Sequence, residues 1–170
     1  MWHPGFPYLE RQQATLSGYH RAFCIYSRFY RGTPDHPGLV LGLDRGGTCQ
    51  GVAFRIARAD WPGVVDYLNE RELIGYAYQA AVLPIEINDG PAAAYTFVAD
   101  HDHTDYAGDL SLEKTAKIIL TASGVTGLNR DYLFDFLTEL ANHGVDDREH
   151  HTLRRRIEYL SGAMDQYSES

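Results

Sequence analysis

Glu72 is a carboxylate standing where helical periodicity calls for an apolar residue. The segment Trp61-Pro62-Gly63-Val64-Val65-Asp66-Tyr67-Leu68-Asn69-Glu70-Arg71-Glu72 follows Asp60, a residue type that caps helix N-termini, and Pro62 suits a first turn. Trp61, Val64, Val65 and Leu68 recur at the spacing of one helix face, the stripe that an amphipathic helix turns to a core. The next position on that stripe is Glu72, while Asp66 and Glu70 fall on the opposite side. A charge drawn into apolar surroundings is costly unless it is paired or protonated. A carboxylate so placed is suited to take up and return a proton as a general base. A helix that ended one turn earlier would instead leave Glu72 in water.

The other chemistry-bearing residues form weaker patterns. His101-Asp102-His103 offers ligand types, but alternate residues with one carboxylate make a poor chelate, and polar turn chemistry explains them equally. His150 and His151 are neighbours in a helical stretch with Asp146, Asp147 and Glu149. Helical neighbours face different ways, so a solvated helix face is expected there. Ser17, Ser27, Ser111 and Ser123 lack a Gly-x-Ser-x-Gly setting. Cys24 and Cys49 lie in strand-like stretches and read as free core thiols of a cytosolic protein. Gly46-Gly47 opens no helix after a parallel strand, so it is no phosphate cradle. No metal and no cofactor is expected.

These residues must be positioned by elements that change character along the chain. Ala14–Tyr26, Leu39–Leu43 and Thr48–Ile56 read as strands, the last two joined by a hairpin at Arg45-Gly46-Gly47. After the helix at 60–72, Ala77–Ile87 and Ala92–Ala99 read as strands on either side of Asn88-Asp89-Gly90-Pro91. Helices follow: one capped by Ser111, one capped by Asn129 with Tyr132, Leu133, Phe136, Leu137 and Leu140 on its apolar face, and a charged peripheral one from about 147 to 167. Strands first, helices later and short links between strands predict an α+β domain. Its small mixed or antiparallel sheet should be barrel-like, closed or nearly closed, with helices outside it. The 170 residues, 44% of them hydrophobic, suffice for one domain spanning 1–170 with a sizeable core. A net charge of −8 argues against nucleic acid and anionic membranes as partners.

Four stretches stand in order along the chain: Gly18-Tyr19-His20-Arg21-Ala22-Phe23-Cys24; Arg31-Gly32-Thr33-Pro34 with Pro37-Gly38, running into Gly51-Val52-Ala53-Phe54-Arg55; Tyr67-Leu68-Asn69-Glu70-Arg71-Glu72; and Asp105-Tyr106 with Asn129-Arg130-Asp131-Tyr132-Leu133. As an ordered set they resemble the ChaC-type glutathione-specific γ-glutamylcyclotransferases. The resemblance implies a cytoplasmic lyase that cleaves glutathione to 5-oxoproline and cysteinylglycine. Alternatives are a cyclotransferase for another γ-glutamyl amine or dipeptide, and a non-catalytic binding domain of the same fold. The family's catalytic glutamate, in the Arg-Glu pair after Tyr-Leu, corresponds to Glu72. Tyr106 matches a tyrosine near the family's pocket, and Met1 and Trp2 match a Met-Trp-x-Pro-like stretch beside it. The pattern departs at the start. The family begins with a strand ending in Tyr-Gly-Ser-Leu, whose loop contributes to the substrate pocket, whereas this sequence begins Met1-Trp2-His3-Pro4. A chain truncated before its first strand is therefore expected.

Overall fold

The computed structural model describes residues 4–168 apart from 74 and 76. In chain order the elements are β1 (Glu10–Ser27), β2 (Gly38–Arg55), α1 (Trp61–Leu73), β3 (Tyr78–Ile87), β4 (Gly90–Ala99), α2 (Leu112–Thr121), β5 (Ser123–Gly124), β6 (Gly127–Leu128), α3 (Asn129–Asn142) and α4 (Arg148–Ser168). The α+β class holds. Among the described residues the main sheet has the order β2-β1-β3-β4, and β5 pairs only with β6. The expected closure is not made, because β2 and β4 remain the outer strands. Five strands already make only a partly open barrel, and four have less circumference to wrap.

The chain divides into two compact units, Met1–Ala22 with Gly42–Tyr106, and Phe23–Leu41 with Ala107–Ser170. In the first unit β3 pairs antiparallel with β1 (Ala14 opposite Ile87) and with β4 along its whole length. Ile87 pairs with Gly90, so Asn88 and Asp89 alone form the turn, and Gly90 takes φ 108°. Leu16, Cys49 and Ile85 make one apolar cluster of this unit. Val64 and Leu68 of α1 make another with Phe97 of β4.

The hairpin expected at Arg45-Gly46-Gly47 is absent. The segment is continuous strand, in which Gly46 and Gly47 adopt φ 99° and 68°. Two left-handed residues inside a strand bend it as a bulge does, without reversing it. The His20 ring nitrogen Nδ1 lies 3.1 Å from the Gly46 carbonyl oxygen at this bend.

In the second unit, Leu133, Phe136, Leu137 and Leu140 of α3 are buried, as the apolar stripe predicts. Ser111 caps α2 by accepting the Lys114 N–H at 3.3 Å. Asn129, in contrast, makes no helix cap. Its fully buried amide brackets Leu39 of β2, accepting the backbone N–H and donating to the carbonyl, both at 2.7 Å. A strand backbone offering both groups to one amide outcompetes the weaker end-of-helix bond. His150 is also not solvated. It is buried against the rings of Phe23 and Phe136, at 5.5 and 5.2 Å between centroids. Its Nδ1 lies 2.8 Å from Asp147 Oδ1 but out of line for a hydrogen bond. The apolar residues Leu153 and Ile157 are buried too, so α4 contributes a core face where its charged sequence suggested a peripheral helix.

Candidate active site

The stripe prediction for α1 is largely met. The helix begins as the Asp60 carbonyl accepts the Val64 N–H at 3.0 Å. Val64 and Leu68 are buried and Val65 is half-buried. Trp61 is the exception, being substantially exposed, with its ring edge-on to Tyr95 at 5.8 Å. One turn beyond Leu68, the Glu72 side chain is 22% exposed, and its Oε1 lies 3.2 Å from Nε of Arg71. The carboxylate is thus half-buried with the Arg71 cation adjacent.

Arg71 is itself tethered. Its guanidinium donates to the Pro4 carbonyl and to the Tyr67 hydroxyl, each at 3.4 Å. The chain at 4–6 can lie on α1 because residue 5 is glycine. With φ 73° it takes a conformation side chains resist, and a Cβ there would run into the Tyr67 hydroxyl. Phe6 then meets Tyr67 and Phe54 edge-on, at 6.3 and 5.8 Å. The N-terminal segment therefore forms one wall beside the Arg71–Glu72 pair. Met1 and Trp2, expected at the substrate, lie outside the described residues.

Tyr106 belongs to a second polar network in the same unit. It ends a loop folded on its own polar groups. Asp100 Oδ1 accepts the Asp102 N–H at 3.1 Å, His103 Nδ1 accepts the Asp105 N–H at 3.0 Å, and the His103 carbonyl accepts the Tyr106 N–H at 3.0 Å. The Tyr106 hydroxyl donates to Asp44 Oδ2 at 2.9 Å. His101 Nε2 lies 2.6 Å from Asp44 Oδ1, and its ring stacks on Tyr106 at 4.3 Å and 14°. The Arg45 N–H completes the set at 2.8 Å from Oδ1. Burial pushes the Asp44 carboxyl up, but the Tyr106, Arg45 and His101 hydrogen bonds and the His101 charge together hold it below the ordinary range. Asp44 is therefore an ionised carboxylate with donors on both oxygens.

The loop at His101-Asp102-His103 is thus a built structure as well as a polar turn, and His101 faces a buried carboxylate. Sequence reasoning missed Asp44 and the role of His101. The available signal was an acidic residue ending an apolar strand, which reads as part of a turn because two glycines follow closely. Glu72 stands beside Arg71, and Tyr106 is held by Asp44 and His101. Both cysteines are buried and form no disulfide, Cys49 lying within the Leu16–Ile85 cluster. Among the described residues no group of three or more His, Cys, Asp or Glu converges as a metal site.

Comparison with known proteins gives this geometry a context. A model of the family described as ChaC-like protein matches residues 1–159. The chain belongs to the ChaC-like family. A relative from Escherichia coli, named glutathione-specific gamma-glutamylcyclotransferase, is 35% identical to this ChaC-like chain over 148 residues; the match covers 86% of the chain and 64% of that protein. Gamma-glutamylcyclotransferase 2-3 of Arabidopsis thaliana is 32% identical, over 94% of the chain and 85% of its own length. Among solved structures, a yeast gamma-glutamyl cyclotransferase specific to glutathione superposes with a TM-score of 0.79 at 20% identity, covering 89% of each chain. That last likeness is one of fold.

Proposed function

We propose that this ChaC-like chain is a glutathione-cleaving γ-glutamylcyclotransferase with Glu72 as its general base. The observation that carries the proposal is the half-buried Glu72 carboxylate, continuing the apolar face of α1 beside Arg71. Glu72 takes a proton from the α-ammonium of the γ-glutamyl group. The freed amine attacks the γ-carbonyl of the same residue, and a five-membered lactam closes. The bond to the cysteine nitrogen breaks as Glu72 returns the proton to that leaving nitrogen, and the second proton shed by the cyclising nitrogen completes the ammonium of the released dipeptide. No water is consumed, so the products are 5-oxoproline and cysteinylglycine.

Amine and carbonyl already share one molecule, so much of the barrier is a matter of holding them in register. Backbone N–H groups aimed at the developing oxyanion would supply the remainder. Tyr106, Met1 and Trp2 are assigned to binding the substrate. A net charge of −8 supports a small-molecule substrate over nucleic acid, and no described helix is long and apolar enough to cross a membrane. We assign the protein to the cytoplasm, where its substrate would be reduced glutathione.

The test is direct. Purified protein is incubated with glutathione, and 5-oxoproline and cysteinylglycine are quantified together, with a γ-glutamyl dipeptide lacking cysteine run in parallel. Equimolar release of both products from glutathione supports the proposal. Preference for the other dipeptide would reassign the substrate, and release of free glutamate would reveal hydrolysis instead of cyclisation.

A further inference from the structure

Arg71 and Glu72 are sequence neighbours on α1, and neighbours on a helix point about 100° apart. Their contact is therefore not one that the helix makes for them. Nε of Arg71 nonetheless lies 3.2 Å from Oε1 of Glu72, although the arginine side chain is 38% exposed. An exposed pair of long side chains gains little by itself, because holding both in one geometry costs entropy. The other edge of the same guanidinium is tethered. Nη1 donates to the Pro4 carbonyl and to the Tyr67 hydroxyl, each at 3.4 Å. A guanidinium is flat and rigid, so contacts that place Nη1 also place Nε.

Both acceptors are themselves held. Tyr67 stands one turn before Arg71 on α1, and its ring meets Phe6 edge-on. Phe6 packs against the cluster of Val64, Leu68 and Phe97. Between Phe6 and Pro4, Gly5 takes φ 73° and lies so close over the Tyr67 hydroxyl that a Cβ would collide with it. Segment 4–6 is thus a strap on α1, and its Pro4 carbonyl holds one edge of the guanidinium whose other edge meets Glu72.

We propose that Arg71 is a positioning residue for Glu72, and that the strap Pro4-Gly5-Phe6 sets where it stands. This rests on the reading of Glu72 as the base of a cyclotransferase. Pinned through Oε1, the carboxylate keeps one rotamer, in register for the α-ammonium of the γ-glutamyl group. Small misplacements of reacting groups are costly to the chemical step even where binding survives. A lysine at 71 would keep the charge but could not join both edges, since its ammonium is a single point on a flexible stem.

Release of 5-oxoproline from glutathione is measured for wild type, Gly5→Ala, Arg71→Lys, Arg71→Gln and Gly5→Ala combined with each arginine variant, with thermal unfolding of every sample. Gly5→Ala lifts the strap from Tyr67. It should lower kcat about tenfold or more while KM changes by less than about twofold. Arg71→Lys and Arg71→Gln should show the same split. In either arginine background Gly5→Ala should add nothing further, because the strap acts through the guanidinium.

Multiplied effects in a folded double variant would mean that the strap acts elsewhere, and overturn the proposal. So would an Arg71→Lys protein with wild-type kcat, or a folded Gly5→Ala protein with unchanged kcat. If Gly5→Ala fails to fold, Tyr67→Phe takes its place. It keeps the ring against Phe6 and removes one tether, and its loss of kcat must likewise vanish in the arginine backgrounds. Wild-type protein that releases no 5-oxoproline, or a Glu72→Gln protein that keeps its turnover, overturns the underlying reading together with this one. Normal wild-type turnover, an inactive Glu72→Gln and an insensitive Gly5→Ala remove only the positioning role.

Discussion

Glu72 and Asp44 are carboxylates with different surroundings. Glu72 has the Arg71 cation beside it and keeps part of its surface open to solvent, which suits the proposed exchange of protons. Asp44 has donors on both oxygens, which suits a fixed anchor. The difference predicts an acid signature. In the folded protein the Asp44 carboxyl titrates below its ordinary value of 3.8, so the unfolded chain binds the proton first as pH falls. The stabilisation from this group is present above pH 3.8 and is lost as pH falls from there through the lower, folded value. Asp44→Asn should lower stability at neutral pH and flatten the fall in stability below pH 4, roughly where an unfolded aspartate titrates. Denaturant unfolding of both proteins at about pH 7, 4 and 3, values that bracket that titration, measures this; parallel pH curves would mean that Asp44 does not couple folding to protonation.

At the scale of elements, periodicity makes some features legible and long-range polar contacts hide others. The apolar faces of α1 and α3 can be read because burial follows spacing, and Val64, Leu68, Leu133, Phe136, Leu137 and Leu140 are all buried. Asn129 misleads because a cap and a buried bracket use the same residue type, and only the fold shows that Leu39 stands opposite. Gly46 and Gly47 mislead because a turn and a bulge both draw on positive φ. The network of Asp44, His101 and Tyr106 joins residues 57 and 62 positions apart, which no local pattern reports. The Asn129 bracket predicts a large local cost. Asn129→Ala would strand the buried N–H and carbonyl of Leu39 and should destabilise by on the order of 3 kcal/mol in urea unfolding. Gly38 makes a companion prediction. A Cβ there would collide with the Arg31 carbonyl and with Asn129 Oδ1, so Gly38→Ala should also destabilise, and should add little to Asn129→Ala if the bracket is what the methyl group disrupts. Full additivity of the two would place the strain at Arg31 instead.

For the whole molecule, the chain crosses between its two units within β1, within β2 and after Tyr106, and Glu72, Arg71, Asp44, His101 and Tyr106 all belong to the first unit. The two thiols serve the core. Cys24→Ala with Cys49→Ala should cost on the order of 1 kcal/mol at each site from lost packing, while turnover of the folded double variant stays at the wild-type level; lost turnover in a folded protein would bring a thiol into the chemistry. The central claim is that one carboxylate on α1 moves the proton. Its most direct test is single-turnover release of 5-oxoproline from glutathione by wild type and by Glu72→Gln, with thermal unfolding recorded on the same samples. Glutamine keeps the shape and cannot take the proton, so the rate should fall about a hundredfold or more with the unfolding transition preserved. A folded Glu72→Gln protein that forms 5-oxoproline at close to the wild-type rate would contradict the account.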